Sequence, residues 1–272
     1  MSSVLRSMDI KKPWFTTFGA QLSRPKLRLF CFPYAGGSAA LYKDWSKSLA
    51  ANNAIELCAV QLPGRGARIG ESLIDNGDLL IERLVTAIRP LLDVPCVFFG
   101  HSMGAQVAWE LTRALREEKL PQPKVLMVSG RSAPQLNRQR EPIHHLPEAE
   151  FIQALGKLQG TPDELLQNAE LMEFVGPMLR ADFKVIETWQ YRPQTPLRVP
   201  IVALGGEQDE GVGRDGISAW QHQTSIDLVE RELPGGHFFI TSAQDLVLAE
   251  VKSALNKFVF KSEINPRVTS LV

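Results

Sequence analysis

Cysteine is scarce in this 272-residue sequence, and the three that occur, Cys31, Cys58 and Cys96, each sit inside an apolar, strand-like run. An odd number without metal-ligand spacing argues against both a disulfide framework and a zinc site. A free thiol in such a run behaves as a small buried hydrophobe. Net charge is lacking too: 30 basic and 30 acidic side chains cancel, and no long block of like charge occurs. That removes the electrostatic case for nucleic-acid or membrane binding, so partners must be recognised locally. Met1 to Ala20 hold no continuous apolar segment of signal-peptide or membrane-spanning length, so export is not expected and a reducing cytoplasm is the expected compartment. Internal repeats and low-complexity tracts are missing as well. What the chain has in quantity is apolar side chain, 44% against 22% charged. That is enough to bury a full core, in one large or two ordinary domains.

Short runs rich in branched and aromatic residues recur along the chain: Leu27 to Phe32, Ile55 to Gln61, Pro95 to Phe99, Lys124 to Ser129, Val199 to Leu204 and Ile226 to Leu233. They are mostly apolar on both faces and alternate with helix-length stretches, Leu41 to Ala51, Leu79 to Leu91, Gln106 to Glu118 and Leu246 to Phe258. The pattern predicts an α/β fold with a largely parallel sheet covered by helices on each side. One interval breaks the rhythm: about 70 residues separate Ser129 from Val199, more than a simple crossover needs. Within it Leu171, Phe174, Val175, Met178, Leu179, Val185, Ile186 and Trp189 fall near one helical face, and prolines at 134, 142, 147, 162, 177, 193 and 196 punctuate the rest. This reads as a small helical lid, whose apolar face either packs on the body or lines a substrate channel.

Gly100-His101-Ser102-Met103-Gly104 has the form G-x-S-x-G, after an apolar run and before a good helix start. In a nucleophile elbow the glycines permit a sharp strand-to-helix turn that lifts the serine oxygen clear of the backbone. A serine hydroxyl also needs a base. Of the five histidines, His237 lies in a glycine loop after the last expected strand, where it can be presented over the sheet. His101 is expected to pack in the turn, and His144, His145 and His222 to be solvated surface. The base needs a carboxylate to hold its tautomer, and Asp209 sits just beyond a strand's carboxyl end, with Glu207, Glu210 and more weakly Asp215 as rivals. Ser102, Asp209, His237 is the chain order of an α/β hydrolase.

The oxyanion of acyl transfer needs backbone N–H donors. Met103 is one candidate, and the loop Phe32-Pro33-Tyr34-Ala35-Gly36-Gly37-Ser38 offers the other, Ala35 before Tyr34. The loop lacks the lysine and spacing of a P-loop. Two arginines in Leu62-Pro63-Gly64-Arg65-Gly66-Ala67-Arg68 are brought to the same edge. Either could contact a substrate phosphate, or form a structural salt bridge or plain surface.

Six segments, in order, resemble the type II (external, editing) thioesterases of polyketide and nonribosomal peptide synthesis. They are Phe32 to Ser38, Leu62-Pro63-Gly64-Arg65, Gly100 to Gly104, Leu179-Arg180-Ala181-Asp182-Phe183, Gly205-Gly206-Glu207-Gln208-Asp209 and Pro234 to Phe239. The resemblance covers most of the chain. It implies one α/β-hydrolase domain over residues 1–272, with a mobile lid inserted at about 131–197. It also implies a Ser102-Asp209-His237 triad, with the Ala35 and Met103 amides as oxyanion donors. The implied substrates are acyl thioesters on the phosphopantetheine arms of acyl or peptidyl carrier proteins of a modular synthase. No cofactor and no metal are implied, since the phosphopantetheine belongs to the substrate, and a monomer is the default. Glu210-Gly211 departs from the family, which often has a proline after the acid. A carboxylesterase or lipase, an acyltransferase using the same triad, and a non-catalytic binding protein are the competing readings.

Overall fold

The computed structural model describes residues 13–19, 25–49, 55–136, 140–158 and 166–260. Among these residues seven strands form one sheet: β1 (Phe15–Phe18), β2 (Leu27–Phe32), β3 (Ile55–Val60), β4 (Cys96–His101), β5 (Leu126–Ser129), β6 (Ile201–Gly206) and β7 (Leu228–Leu233). Their order is β1-β3-β2-β4-β5-β6-β7, with β1 antiparallel to β3 and every other pair parallel. All six expected strands form, as the α/β-hydrolase expectation requires. β1 was not expected: it is four residues long, on the edge, and tied to the body by Phe15 against Phe30, ring centroids 5.1 Å apart.

The helices are α1 (Trp45–Leu49), α2 (Gly77–Ile88), α3 (Met103–Glu117), α4 (Glu148–Lys157), α5 (Ala169–Glu187), α6 (Arg214–Ser218), α7 (Phe239–Ser242) and α8 (Gln244–Leu255). α2 starts where Asn76 caps it, its side chain accepting from Leu79 N–H. Strand residues alternate between two cores. Phe30, Phe32 and Phe98 face Leu84 of α2 and Leu111 of α3. Leu29, Cys31, Val97 and Phe99 face Trp45 of α1 and Val251 of α8. Burial on both faces explains the near-continuous apolar runs of β2, β4 and β6. The three cysteines are free and buried in β2, β3 and β4. The expected helix at 41–51 is a 3-10 turn, Ala39–Tyr42, followed by α1; residues 50 and 51 lie outside the described residues.

The long interval between β5 and β6 contains α4 and α5, which share a small core of Phe151, Leu155, Met172 and Leu179. Val185 and Ile186 of α5 join the main core. Leu171 and Phe174 do not share the buried face, as the periodicity had suggested; they are 45% and 65% exposed, and Met172 is buried in their place. Pro177 does not punctuate a boundary but lies inside α5, and Pro162 falls outside the described residues. Among the described residues no helix is long and apolar enough to cross a membrane.

The chain places β2 and β3 to one side of β4 and then returns to build β5 to β7 on the other. In an open α/β sheet the crevice beyond the strands' carboxyl ends at such a reversal is where sites collect. The loops after β2 and β4 meet there.

Candidate active site

Ser102 stands alone between the end of β4 and the start of α3. Its φ is +54° and its ψ −113°, outside the ordinary left-handed well and costing about 1–3 kcal/mol for a residue with a Cβ. The flanking glycines explain how the turn is packed. A Cβ on Gly100 would fall 2.1 Å from the Gly104 carbonyl oxygen, and one on Gly104 would fall 2.0 Å from that of Phe32. The first turn of α3 is therefore pressed against both β4 and the end of β2, and Ser102 N–H donates to the Ser129 carbonyl at 2.8 Å.

The structure brings the three expected side chains together. Ser102 Oγ lies 2.9 Å from His237 Nε2, and His237 Nδ1 lies 2.7 Å from Asp209 Oδ2. A carboxylate at Nδ1 fixes the proton there and leaves Nε2 free to accept from the hydroxyl. Asp209 is buried, and its other oxygen accepts the Gly211 N–H at 3.0 Å, so the Glu210-Gly211 departure keeps the acid in place. Burial opposes ionisation of this carboxyl, but the His237 hydrogen bond and charge and the Gly211 amide outweigh it and hold the carboxyl below the usual carboxylate value. The rivals Glu207, Glu210 and Asp215 are exposed.

Met103 is the first residue of α3, so its N–H belongs to the helix's unsatisfied N-terminal donors. Ala35 lies in a turn closed by Gly37 N–H to the Tyr34 carbonyl at 2.9 Å, with Gly36 at φ +80° in its third position. Among the described residues the Ala35 N–H donates to no main-chain carbonyl, and the Met103 N–H to none outside α3. The fallback Tyr34 packs its ring against Phe238, centroids 5.0 Å apart.

The arginines do not wait for a phosphate. Arg65 is buried and grips Asp182 of α5 through both Nη atoms, at 2.6 and 2.7 Å. Asp182 Oδ2 also accepts the Gly36 N–H at 2.7 Å, so a carboxylate from the inserted helices holds the amide beside Ala35. Arg68 donates to Glu71 and to the Gln61 carbonyl and lies 4.1 Å over the Trp14 ring. The salt-bridge alternative is the correct one for both.

Of the other histidines, His145 and His222 are exposed as expected. His144 is not plain solvated surface: its Nδ1 lies 2.7 Å from Glu187, which also accepts the Ile143 and His144 amides. His101 is fully buried and hydrogen-bonded at both nitrogens, to Ser129 Oγ and the His237 carbonyl, each at 2.9 Å. The sequence points only to turn packing at His101 and to no role for Asp182. The residue types at both positions, an imidazole in a strand and a carboxylate on the apolar face of a helix, are the signal that was available. Among the described residues no cluster of His, Cys, Asp or Glu could hold a metal ion.

The geometry agrees with what this chain is similar to. A thioesterase domain family model matches residues 27–255. Gramicidin S biosynthesis protein GrsT of Aneurinibacillus migulanus is 42% identical over 227 residues, which is 84% of this chain and 88% of that protein. Thioesterase PikA5 of Streptomyces venezuelae is 37% identical over 215 residues, 79% and 75% of the two chains. The solved type II thioesterase BorB from the borrelidin biosynthetic cluster matches with a TM-score of 0.80 and 32% identity, covering 89% of this chain and 97% of that one. The chain belongs to the thioesterase family, and it is a thioester hydrolase built on the α/β-hydrolase fold.

Proposed function

We propose that this hydrolase removes acyl groups from the phosphopantetheine arms of carrier proteins in a modular polyketide or nonribosomal peptide synthase, clearing stalled or aberrant units through an acyl-enzyme on Ser102. The observation that carries the chemistry is the hydrogen-bonded series Ser102, His237, Asp209. As Ser102 Oγ attacks the thioester carbonyl, its proton passes to His237 Nε2 and the Ala35 and Met103 amides bind the oxyanion. The C–S bond breaks and the thiol departs with the proton from His237. A thiolate leaves more easily than an alkoxide or amine, so the acid has little protonation to supply. Water then adds to the ester, giving its proton to His237. Collapse releases the carboxylic acid as the proton returns to Ser102 Oγ. Asp209 stabilises the imidazolium in both halves.

The α4–α5 insert acts as the lid over this site. No cofactor takes part. The working compartment is the cytoplasm and the enzyme acts as a monomer, meeting its carrier protein transiently.

Purified protein offered acyl-carrier-protein thioesters, acyl-CoA and simple aryl esters will release thiol fastest from the carrier protein. Faster turnover of the aryl ester without any carrier preference refutes the editing role and favours a carboxylesterase. Transfer of the acyl group to an added alcohol in place of water marks an acyltransferase.

A further inference from the structure

The acyl-transfer steps leave His101 without a part, yet its bonds are specific. A carbonyl can only accept, so the contact with the His237 main chain requires the proton on His101 Nε2. Nδ1 is then bare and accepts from the Ser129 hydroxyl. Ser129 closes a circuit: its carbonyl accepts the Ser102 N–H, its hydroxyl donates to His101 Nδ1, and His101 reaches the backbone of the residue whose ring meets Ser102 Oγ. Room for the imidazole comes from Gly130, where a Cβ would fall 2.7 Å from His101 Cε1. Tyr34, Phe238 and Phe239 surround the ring, and the groups that act on it electrically are His237 and Asp209. The two imidazoles are 5.4 Å apart, so a charge on His101 would repel the imidazolium formed at His237 and compete for Asp209.

We propose that His101 is a positioning residue: its Nε2–H holds the His237 main-chain carbonyl, and through it the base, at bonding distance from Ser102. The inference rests on the triad reading, because it assigns His101 a role only through His237. A misplaced base slows acylation and deacylation alike without weakening substrate binding, so the effect falls on kcat and not on KM.

The test compares wild type, His101→Phe, His101→Gln, Ser129→Ala and Ser102→Ala with a short-chain acyl thioester of N-acetylcysteamine. Circular dichroism and melting curves run alongside, and so does the rate of serine labelling by a fluorophosphonate. His101→Phe keeps a ring and loses both bonds; kcat and the labelling rate fall about 10²-fold with KM within about twofold. His101→Gln carries a donor at the Nε2 position and recovers most of that loss. A folded His101→Phe with wild-type kcat overturns the proposal, as does a folded His101→Gln no better than His101→Phe. If His101→Phe does not fold, His101→Gln decides: a folded variant within about fivefold of the wild-type kcat supports the proposal, one lower by about 10²-fold overturns it, and Ser129→Ala, which keeps the Nε2–H, loses no more than about fivefold. Inactive Ser102→Ala beside fully active His101→Phe removes the positioning role and leaves the triad; active Ser102→Ala removes both.

Discussion

Asp209 and its neighbours show how environment sorts residues of one type. Four carboxylates lie between positions 207 and 215, and only Asp209 is buried against the base. Steady-state kinetics of Asp209→Asn will show kcat reduced by about 10⁴-fold, while Glu207→Gln, with an exposed side chain, stays within about twofold. The reverse pattern would assign the acid role to Glu207. His101 gives a second residue-scale expectation, in stability. Burial, with repulsion from His237, pushes its imidazole from 6.5 down to about 3, so between those values the unfolded chain takes up a proton that the native one refuses. Its contribution is fully present above pH 6.5 and declines by about 1.4 kcal/mol per pH unit as pH falls toward 3. Urea midpoints measured across that window should fall less steeply, by about one proton, in His101→Gln. Ser102, His237 and Asp209 were legible in the sequence because their types and their places after strands point to one chemistry. His101 and Asp182 were not, because their meaning lies in bonds across 136 and 146 residues.

At the scale of elements, the elbow and the inserted helices depend on close contacts that substitution can break. Gly104→Ala drives a Cβ into the Phe32 carbonyl, and chemical denaturation should show a loss of about 3 kcal/mol. The Arg65–Asp182 pair joins α5 to the loops after β2 and β3, with both side chains buried. Removing one partner leaves a buried charge without its counter-ion. Asp182→Ala should therefore cost about 3–5 kcal/mol and lower the melting midpoint by roughly 10 °C. A midpoint within 2 °C, roughly 1 kcal/mol or less, would show the pair to be structurally idle. The strands of the body were legible because burial on both faces writes continuous apolar runs. β1, α6 and α7, of four, five and four residues, are too short for periodicity to register. α5 was legible as a helix, but its exposed Leu171 and Phe174 were not separable from its core side, since periodicity cannot say which neighbours cover a face.

For the molecule as a whole, the reversal of strand order gathers residues from distant parts of the chain at one edge. Ala35 follows β2, Ser102 follows β4, Asp209 follows β6 and His237 follows β7. Two cores lie on either side of the sheet that presents that edge, and the insert ties Asp182 to the loop that holds Ala35. The alternation of apolar runs with helices was sufficient to expect this architecture; the tie between the insert and the Ala35 loop required the structure. The proposed hydrolysis requires Ser102 to carry the acyl group. Wild-type protein mixed with a carrier protein bearing a short acyl chain, quenched within the first turnover and digested, should yield a Ser102 peptide heavier by the acyl group less the hydroxyl hydrogen it replaces, and Ser102→Ala should leave the carrier acylated. Acyl release at the wild-type rate by Ser102→Ala, with no adduct on that peptide, would contradict it.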